Sequence, residues 1–416
     1  MNQNLIKKAA TTLFIVFFSV ISCGQTNNDK ALLDKAKTLF KSEKNLNQEE
    51  LDKFDYSQIV SLLEKAIKLN PENSEARYFL GYAYSRINSR DGRGMMDMNL
   101  NLLYKTSEQF QEVIKLTPKY TGEIITLDPY SKLTAEWGSM AMSYWYKNKG
   151  DSAAWAFREG KKRGGFSDFI LGLSRMTLDA CSKNAILISS GDNASIPLWY
   201  LQIYEKHRTD VAVVDISLLN STWYPGFLSK TKSVSFDLPN GVLDTLEYTT
   251  WKDTTITISN FSWTVKPTYY DQYLLRGDQI FLSLLKENKF QRDIYFTIGF
   301  IEENYLNLTD YLTSLVLIDK LSVFDKSNIT YENYKETISK VLMLSKGLNM
   351  NSQDEIKLFN YFRYDILIKI NKYLINGDKR KAEELMNLLD TFAGKEKVPY
   401  QDENLEKQIN HLRMRI

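Results

Sequence analysis

The spacing of apolar residues changes twice along this chain, and those two changes constrain its fold more than any other feature. From Ala31 to Gly165 apolar residues recur at helical spacing. From Ala185 to Ile298 short β-branched runs alternate with helical stretches, and from Glu302 onward the helical spacing returns. A chain of 416 residues is long enough for two or three cores, so each rhythm has room to become a folded region. The expected fold is therefore α/β plus all-α. Helical repeats are expected over residues 31–165, a small three-layer α/β module with a β-hairpin insertion over 166–323, and a C-terminal helical bundle over 324–416.

Within the first region the spacing itself recurs. Ile59, Leu63, Ala66 and Pro71 are followed by Leu80, Gly81 and Tyr84. Tyr78 to Arg86 is then followed by Phe110, Val113 and Pro118, and Trp137, Met140, Ala141 and Tyr144 by Ala153, Phe157 and Gly160. This pattern resembles the tetratricopeptide repeat, in which small residues let paired helices approach closely and Pro ends the second helix. Gly81 falls at the close-packing position. The second unit is lengthened by a Gly- and Met-rich insertion, Asn88 to Asn101, read as a solvated loop or a mobile lip. The resemblance implies a concave groove for an envelope protein or peptide, lined by Tyr78, Tyr82, Met142 and Trp145. Alternatively, these side chains pack on the domain that follows. A weaker repeat-like stretch lies at Gly377 to Met386, among C-terminal helices expected at Tyr331–Leu348, Gln353–Asn376, Lys379–Phe392 and Asn404–Ile416.

Strand, turn, helix and strand then follow in close order. Ala185 to Ser190 is an apolar strand, Gly191 to Ser195 a turn, Ile196 to Lys206 a helix, and Asp210 to Leu219 a second strand. A βαβ unit of this kind has parallel strands and a right-handed crossover. Asp271 to Asn288 adds a helix and Asp293 to Ile298 a third strand. Between them, Ser233 to Tyr270 alternates β-branched and aromatic residues and reads as a hairpin excursion broken at Pro239-Asn240-Gly241, either a lid or a packing element. The stretches Ser190 to Gln202, Arg208 to Asn220 with Trp223-Tyr224, and Gly277 to Lys286 with Arg292 to Phe296 are similar to the soluble C-terminal module of protein O-mannosyltransferase-like bacterial membrane proteins, over roughly residues 183–323. The resemblance implies a periplasmic module found beside glycosyl-transfer machinery, without the membrane-embedded part in which transfer would occur. The family turn is Gly-Asp-Asn-Asp-Thr; here Ala194 and Ser195 stand in its last two places, one carboxylate fewer.

That turn joins the carboxyl end of a strand to the amino end of a helix, where open α/β sheets bind anions and small ligands. Gly191, Asp192, Asn193 and Ser195, with Asp215 from the second strand, are the candidate ligand residues; capping is the competing role of Asp192 and Asn193. Two carboxylates across a crevice would suit acid–base chemistry or a cation, and Trp199, Tyr200, Trp223 and Tyr224 would suit a sugar ring or a core. No metal or cofactor is expected, because the chain has only two histidines, His207 and His411, and no metal-ligand spacing. Lys206, His207 and Arg208 read as the last turn of a helix, favoured by its dipole.

The first residues give the address. Lys7 and Lys8 precede an apolar run, Ala9 to Ile21, too short to span a bilayer of about 30 Å, and Val20-Ile-Ser-Cys23 follows. This resembles the lipobox of bacterial lipoproteins. It implies a signal peptide over 1–22, lipidation with palmitate-type acyl chains at Cys23, and a polar tether over 23–30. Several acyl chains, at about 0.8 kcal/mol per buried CH₂, hold a protein on a membrane where one does not. Gly24 rather than Asp after the Cys is similar to lipoproteins sent to the outer membrane, here facing the periplasm. Loss of Lys7 and Lys8 would balance the 53 basic residues against the 51 acidic ones, which argues against nucleic acid as a partner. Cys181 would be left as the lone thiol, read as a buried structural Cys. The expected function is a lipid-anchored scaffold binding an envelope protein through its repeats, accessory to glycan or surface-protein assembly and more a non-enzyme than an enzyme. The alternative is a glycan- or small-ligand-binding or enzymatic module at residues 191–195.

Overall fold

The computed structural model describes residues 28–416 apart from 48–49, 52, 91, 301–304 and 325–327. The expected signal peptide, Cys23 and residues 24–27 of the tether lie outside the described residues, and residues 28–30, expected at the tether's end, are already helical. The chain divides into two compact units, Met1–Tyr130 and Ser131–Ile416.

The first unit is helical: α1 over 28–42, α2 at Ser57–Leu69, α3 at Ser74–Ser89 and α4 at Leu100–Leu116. Asn73 and Asn99 start α3 and α4 by accepting first-turn N–H groups on their side chains. Both α2 and α4 pack on α3. Gly81 makes the second contact possible, because a Cβ there would lie 2.9 Å from the Phe110 ring. The insertion is neither a lip nor a solvated loop: Met95, Met96 and Met98 are buried, and the Asn99 N–H donates to Asn88 Oδ1 at 2.7 Å. An irregular segment, residues 117–128, closes the unit.

The second unit opens with α5 (Pro129–Tyr146) and α6 (Gly150–Lys162), expected as the third repeat of one array. They pack instead on the α/β module. Ile196 lies where a Cβ on Gly138 would be, Phe157 meets Tyr200 edge-on at 5.5 Å, and Trp145 meets Phe227 at 5.5 Å. Next come α7 (Asp168–Ala180), β1 (Ile186–Ser189), α8 (Asp192–Ile203), β2 (Ala212–Asp215), α9 (Tyr224–Lys230) and α10 (Asn240–Thr245). Short strands β3 (Thr249–Thr250), β4 (Thr254–Ile258), β5 (Phe261–Val265) and β6 (Tyr273–Leu274) precede α11 (Arg276–Asn288) and β7 (Ile294–Thr297). Strands β8 (Leu312–Ser314) and β9 (Ile318–Leu321) follow, then helices α12 (Tyr331–Met343), α13 (Gln353–Ile375), α14 (Lys379–Ala393) and α15 (Glu403–Arg415).

The sheet order is β2-β1-β7-β9-β8, with β1 parallel to β2 and β7, and β9 antiparallel to β7 and β8. Two strands thus lie in a stretch expected to be helical from Glu302. Helices cover both faces. The α8 face carries Leu187, Ser189, Val213 and Asp215, while Phe296 on the other face meets Phe281 of α11 at 6.0 Å. The β4–β5 hairpin forms as expected, but its strands join at Ser259-Asn260, and Pro239-Asn240-Gly241 begins α10 instead of turning a hairpin. Phe261 and Trp263 are buried: Phe261 meets Tyr311 at 4.7 Å and Trp263 Nε1 donates to Leu306 O, so these rings pack and do not form a lid.

Candidate functional site

The sheet changes direction of assembly at β1. The chain runs from β1 to β2 on one side, then returns to place β7 on the other, so a topological switch point lies beyond the carboxyl ends of β1 and β7. Gly191 leads into it with φ +81, a conformation that favours glycine, and this aims the chain from β1 straight into α8. The helix is apolar on all sides because it is covered on all sides, and every residue from Ser195 to Ile203 is buried.

Ser195 and Asp215 meet, and they do so inside the protein. Asp215 is 3 % exposed. Its Oδ2 accepts from the Gly191 N–H at 3.1 Å and from the Ser195 hydroxyl, and its Oδ1 accepts from the Leu218 N–H at 3.0 Å. The Asp215 N–H donates to Tyr224 Oη at 3.0 Å. With the Ser195 proton committed to Asp215, Ser189 is left as donor across the 2.7 Å gap to Ser195 Oγ. Burial raises the Asp215 carboxyl pKa, and the hydrogen bond from Ser195 opposes that rise.

Asp192 behaves differently. It is exposed, with protein crowded around the remainder of its side chain. That crowding pushes its carboxyl up to about 6; Lys132 works against the rise, while Asp215 and Glu136 add to it. Water on the open side favours the ionised form and opposes the rise. The first turn of α8 is partly closed on itself, Ala194 and Ser195 donating to Gly191 O. Among the described residues, the N–H groups of Asp192 and Asn193 find no such acceptor.

Several participants were not visible in the sequence. Lys132 and Glu136, buried and paired at 2.6 Å on α5, sit on a helix read as part of a repeat. Ser189 and Thr297 lie inside strand runs where nothing marked them. Only the register shows that Asp215, Ser189 and Thr297 share one row across β2, β1 and β7. A cavity of about 220 Å³ opens beside this row, lined by Ser190, Asn193 and Ala194 of the turn and by α7. The aromatic candidates divide. Trp199 and Tyr224 line a larger cavity of about 480 Å³ with Trp145 and Phe227, whereas Tyr200 packs on Phe157 and Phe166.

Residues 171–261 match the TMEM260-associated domain 2 family. This domain is related to O-mannosyltransferase-like proteins. The matched segment runs from within α7 to the first residue of β5, so it holds the turn, α8 and β2 but not α11 or β7. It starts before and ends before the stretch suggested by the sequence motifs. No curated protein matches the chain.

The groove residues are accounted for by contacts within their own units. Tyr78 and Tyr82, 0 % and 3 % exposed, do not line an open groove. The chain's own segment 117–128 lies on them. The Ile125 N–H donates to Tyr78 Oη at 3.0 Å, the Leu127 N–H donates to Tyr82 Oη at 2.8 Å, and the Tyr78 hydroxyl donates to Leu127 O at 2.8 Å. Tyr120 stacks on Tyr78, and Glu123 is held by Lys37 and Lys41 at 2.8 Å each. Met142 is buried, and Trp145 is half-buried against Phe227.

Among the described residues no group of His, Cys, Asp or Glu could hold a metal ion, and no helix is long and apolar enough to cross a membrane. His207 lies beyond the end of α8 and pairs with Asp179 at 2.8 Å. Arg208 satisfies the carbonyls of Leu178 and Cys181, so it caps α7 and not the helix it follows in sequence. Cys181 is buried, which pushes its thiol up to about 12.

Proposed function

We propose that the protein is a non-catalytic, lipid-anchored envelope scaffold. Acyl chains on Cys23 would hold it on a membrane, probing the periplasm from the outer membrane, and tetratricopeptide-like helix pairs would dock an envelope protein or peptide, in work accessory to glycan or surface-protein assembly. One observation carries this reading: the inner side of the first unit already grips a stretch of polypeptide. Two tyrosine hydroxyls bond to its backbone at Ile125 and Leu127, and two lysines hold its Glu123 carboxylate. A surface that reads backbone groups and one acidic side chain suits an acidic peptide segment of a partner, which would compete with residues 117–128 for it. The close approach at Gly81 supports the repeat-like pairing.

Catalysis or glycan binding at the turn is the rival. The commitment of both Asp215 oxygens to protein donors speaks against acid–base chemistry there. The test is a crosslinked pull-down from envelopes. Glu123→Gln, which loosens the resident segment, should increase recovery of the partner, and Tyr78→Phe/Tyr82→Phe should reduce it. Equal recovery by all three proteins overturns the docking role. Cys23→Ala should move the protein from the membrane to the soluble fraction; retention on the membrane overturns the anchor.

A further inference from the structure

The cavity beside the turn lies at the switch point of the sheet, and its walls are of two kinds. Ile170, Leu173 and Leu198 supply an apolar body, with Leu317 and Leu358 closing it. The polar end is formed by Asn193 and Thr297. Thr297 shares the face of β7 with Tyr295, whose hydroxyl accepts from the Ser182 N–H just after α7, so its side chain is turned toward α7 and the cavity. It is 6 % exposed, and its Oγ1 has no hydrogen-bond partner. A buried hydroxyl without a partner costs stability comparable to a lost hydrogen bond. Its two neighbours in the polar row, Ser189 and Asp215, are fully engaged with Ser195 and the turn. Across the cavity, Pro197 has no N–H to give to the Asn193 carbonyl, which leaves that helix acceptor without its usual donor.

We propose that this cavity is a binding site for a small uncharged amphiphile, with an aliphatic body against α7 and α8 and a hydroxyl head between Thr297 and Asn193. A hydroxyl both donates and accepts, so it can give its proton to the Asn193 carbonyl and receive that of Thr297. A carboxylate can only accept. Asp192 and Asp215 already place negative charge at this end of α8, and no cationic side chain lines the cavity to offset a further anion. The volume of about 220 Å³ suits a molecule of a few carbons rather than a full lipid chain. The proposal is independent of the docking role of the first unit, since all its residues lie in the second.

The purified full chain is titrated with 1-hexanol and with hexanoate by calorimetry, for wild type, Thr297→Val and Ser174→Phe. The expected results are saturable 1:1 binding of 1-hexanol, at least tenfold weaker binding of hexanoate, at least fivefold weaker binding of 1-hexanol by Thr297→Val, and none by Ser174→Phe, which fills the cavity from α7. Should either variant fail to fold, hydrogen exchange of the wild type gives the answer, because 1-hexanol should slow exchange over residues 170–198 and 294–298. Absence of saturable hexanol binding, equal affinity for hexanoate, unchanged binding by folded variants, or protection confined to other segments overturns the proposal.

Discussion

Asp192 opens α8, Asp215 meets its first turn from the end of β2, and the two have opposite fates. Asp215 is surrounded by donors and holds the turn together; Asp192 faces water with only partial support. The consequence for Asp192 is a pH dependence with a definite sign. Its folded pKa, about 6, lies above the ordinary 3.8, so the folded protein keeps a proton that the unfolded chain loses first. The stability this supplies is full below about pH 4 and is lost as pH rises through about 6. Asp192→Asn should therefore be more stable than wild type at pH 7, with the difference shrinking toward pH 4, as read by urea denaturation across that range. A difference independent of pH would show that the carboxyl is not perturbed. At this scale the sequence was legible in identity but not in state. Gly191, Ser195 and Asp215 do meet, as a βαβ turn requires, yet their spacing could not tell an open crevice from a filled one. That depends on Ser189, Tyr224 and the loop at Leu218, whose places are set by register and by chain return.

Among the elements, those with long amphipathic repeats were readable and those held by a few residues were not. The helices α2, α4, α6, α7, α12 and α14 each bury one stripe, and that stripe is the pattern a sequence displays. Strands β8 and β9 span Leu312–Ser314 and Ile318–Leu321, too short for alternation to register, and they are held by pairing, β9 with β7 and β8 with β9. Arg363 shows another limit. In a helix it looks solvent-facing, but it is buried and donates to the carbonyls of Ala393, Val398 and Pro399, tying α13 to the end of α14. The α3–α4 contact, by contrast, was legible because only glycine permits it. Gly81→Ala should cost about 1–3 kcal/mol through overpacking against Phe110, which exceeds the gain of under about 1 kcal/mol from replacing a helical glycine. Adding Phe110→Leu should recover part of the loss in a double-mutant cycle. Simple additivity would place the strain elsewhere.

At the scale of the whole molecule, the expected boundary after Gly165 gives way to one at Tyr130, because α5 and α6 bury their faces on α8. A repeat signature does not state which neighbour a helix pair stacks on, since the same stripe fits a following repeat or a following sheet. Each unit consequently owns a core: Leu63, Phe79, Leu103 and Phe110 in the first, and Leu187, Leu198, Phe281 and Phe296 in the second. Separate cores unfold separately unless an interface couples them strongly. Calorimetry should then resolve two transitions, and Gly81→Ala should lower one of them while leaving the other within about a degree. Leu198→Ala, which removes buried apolar contact beside α7 at a cost of about 2–5 kcal/mol, should do the converse. A single transition displaced equally by both variants would mean that the two units fold as one cooperative body.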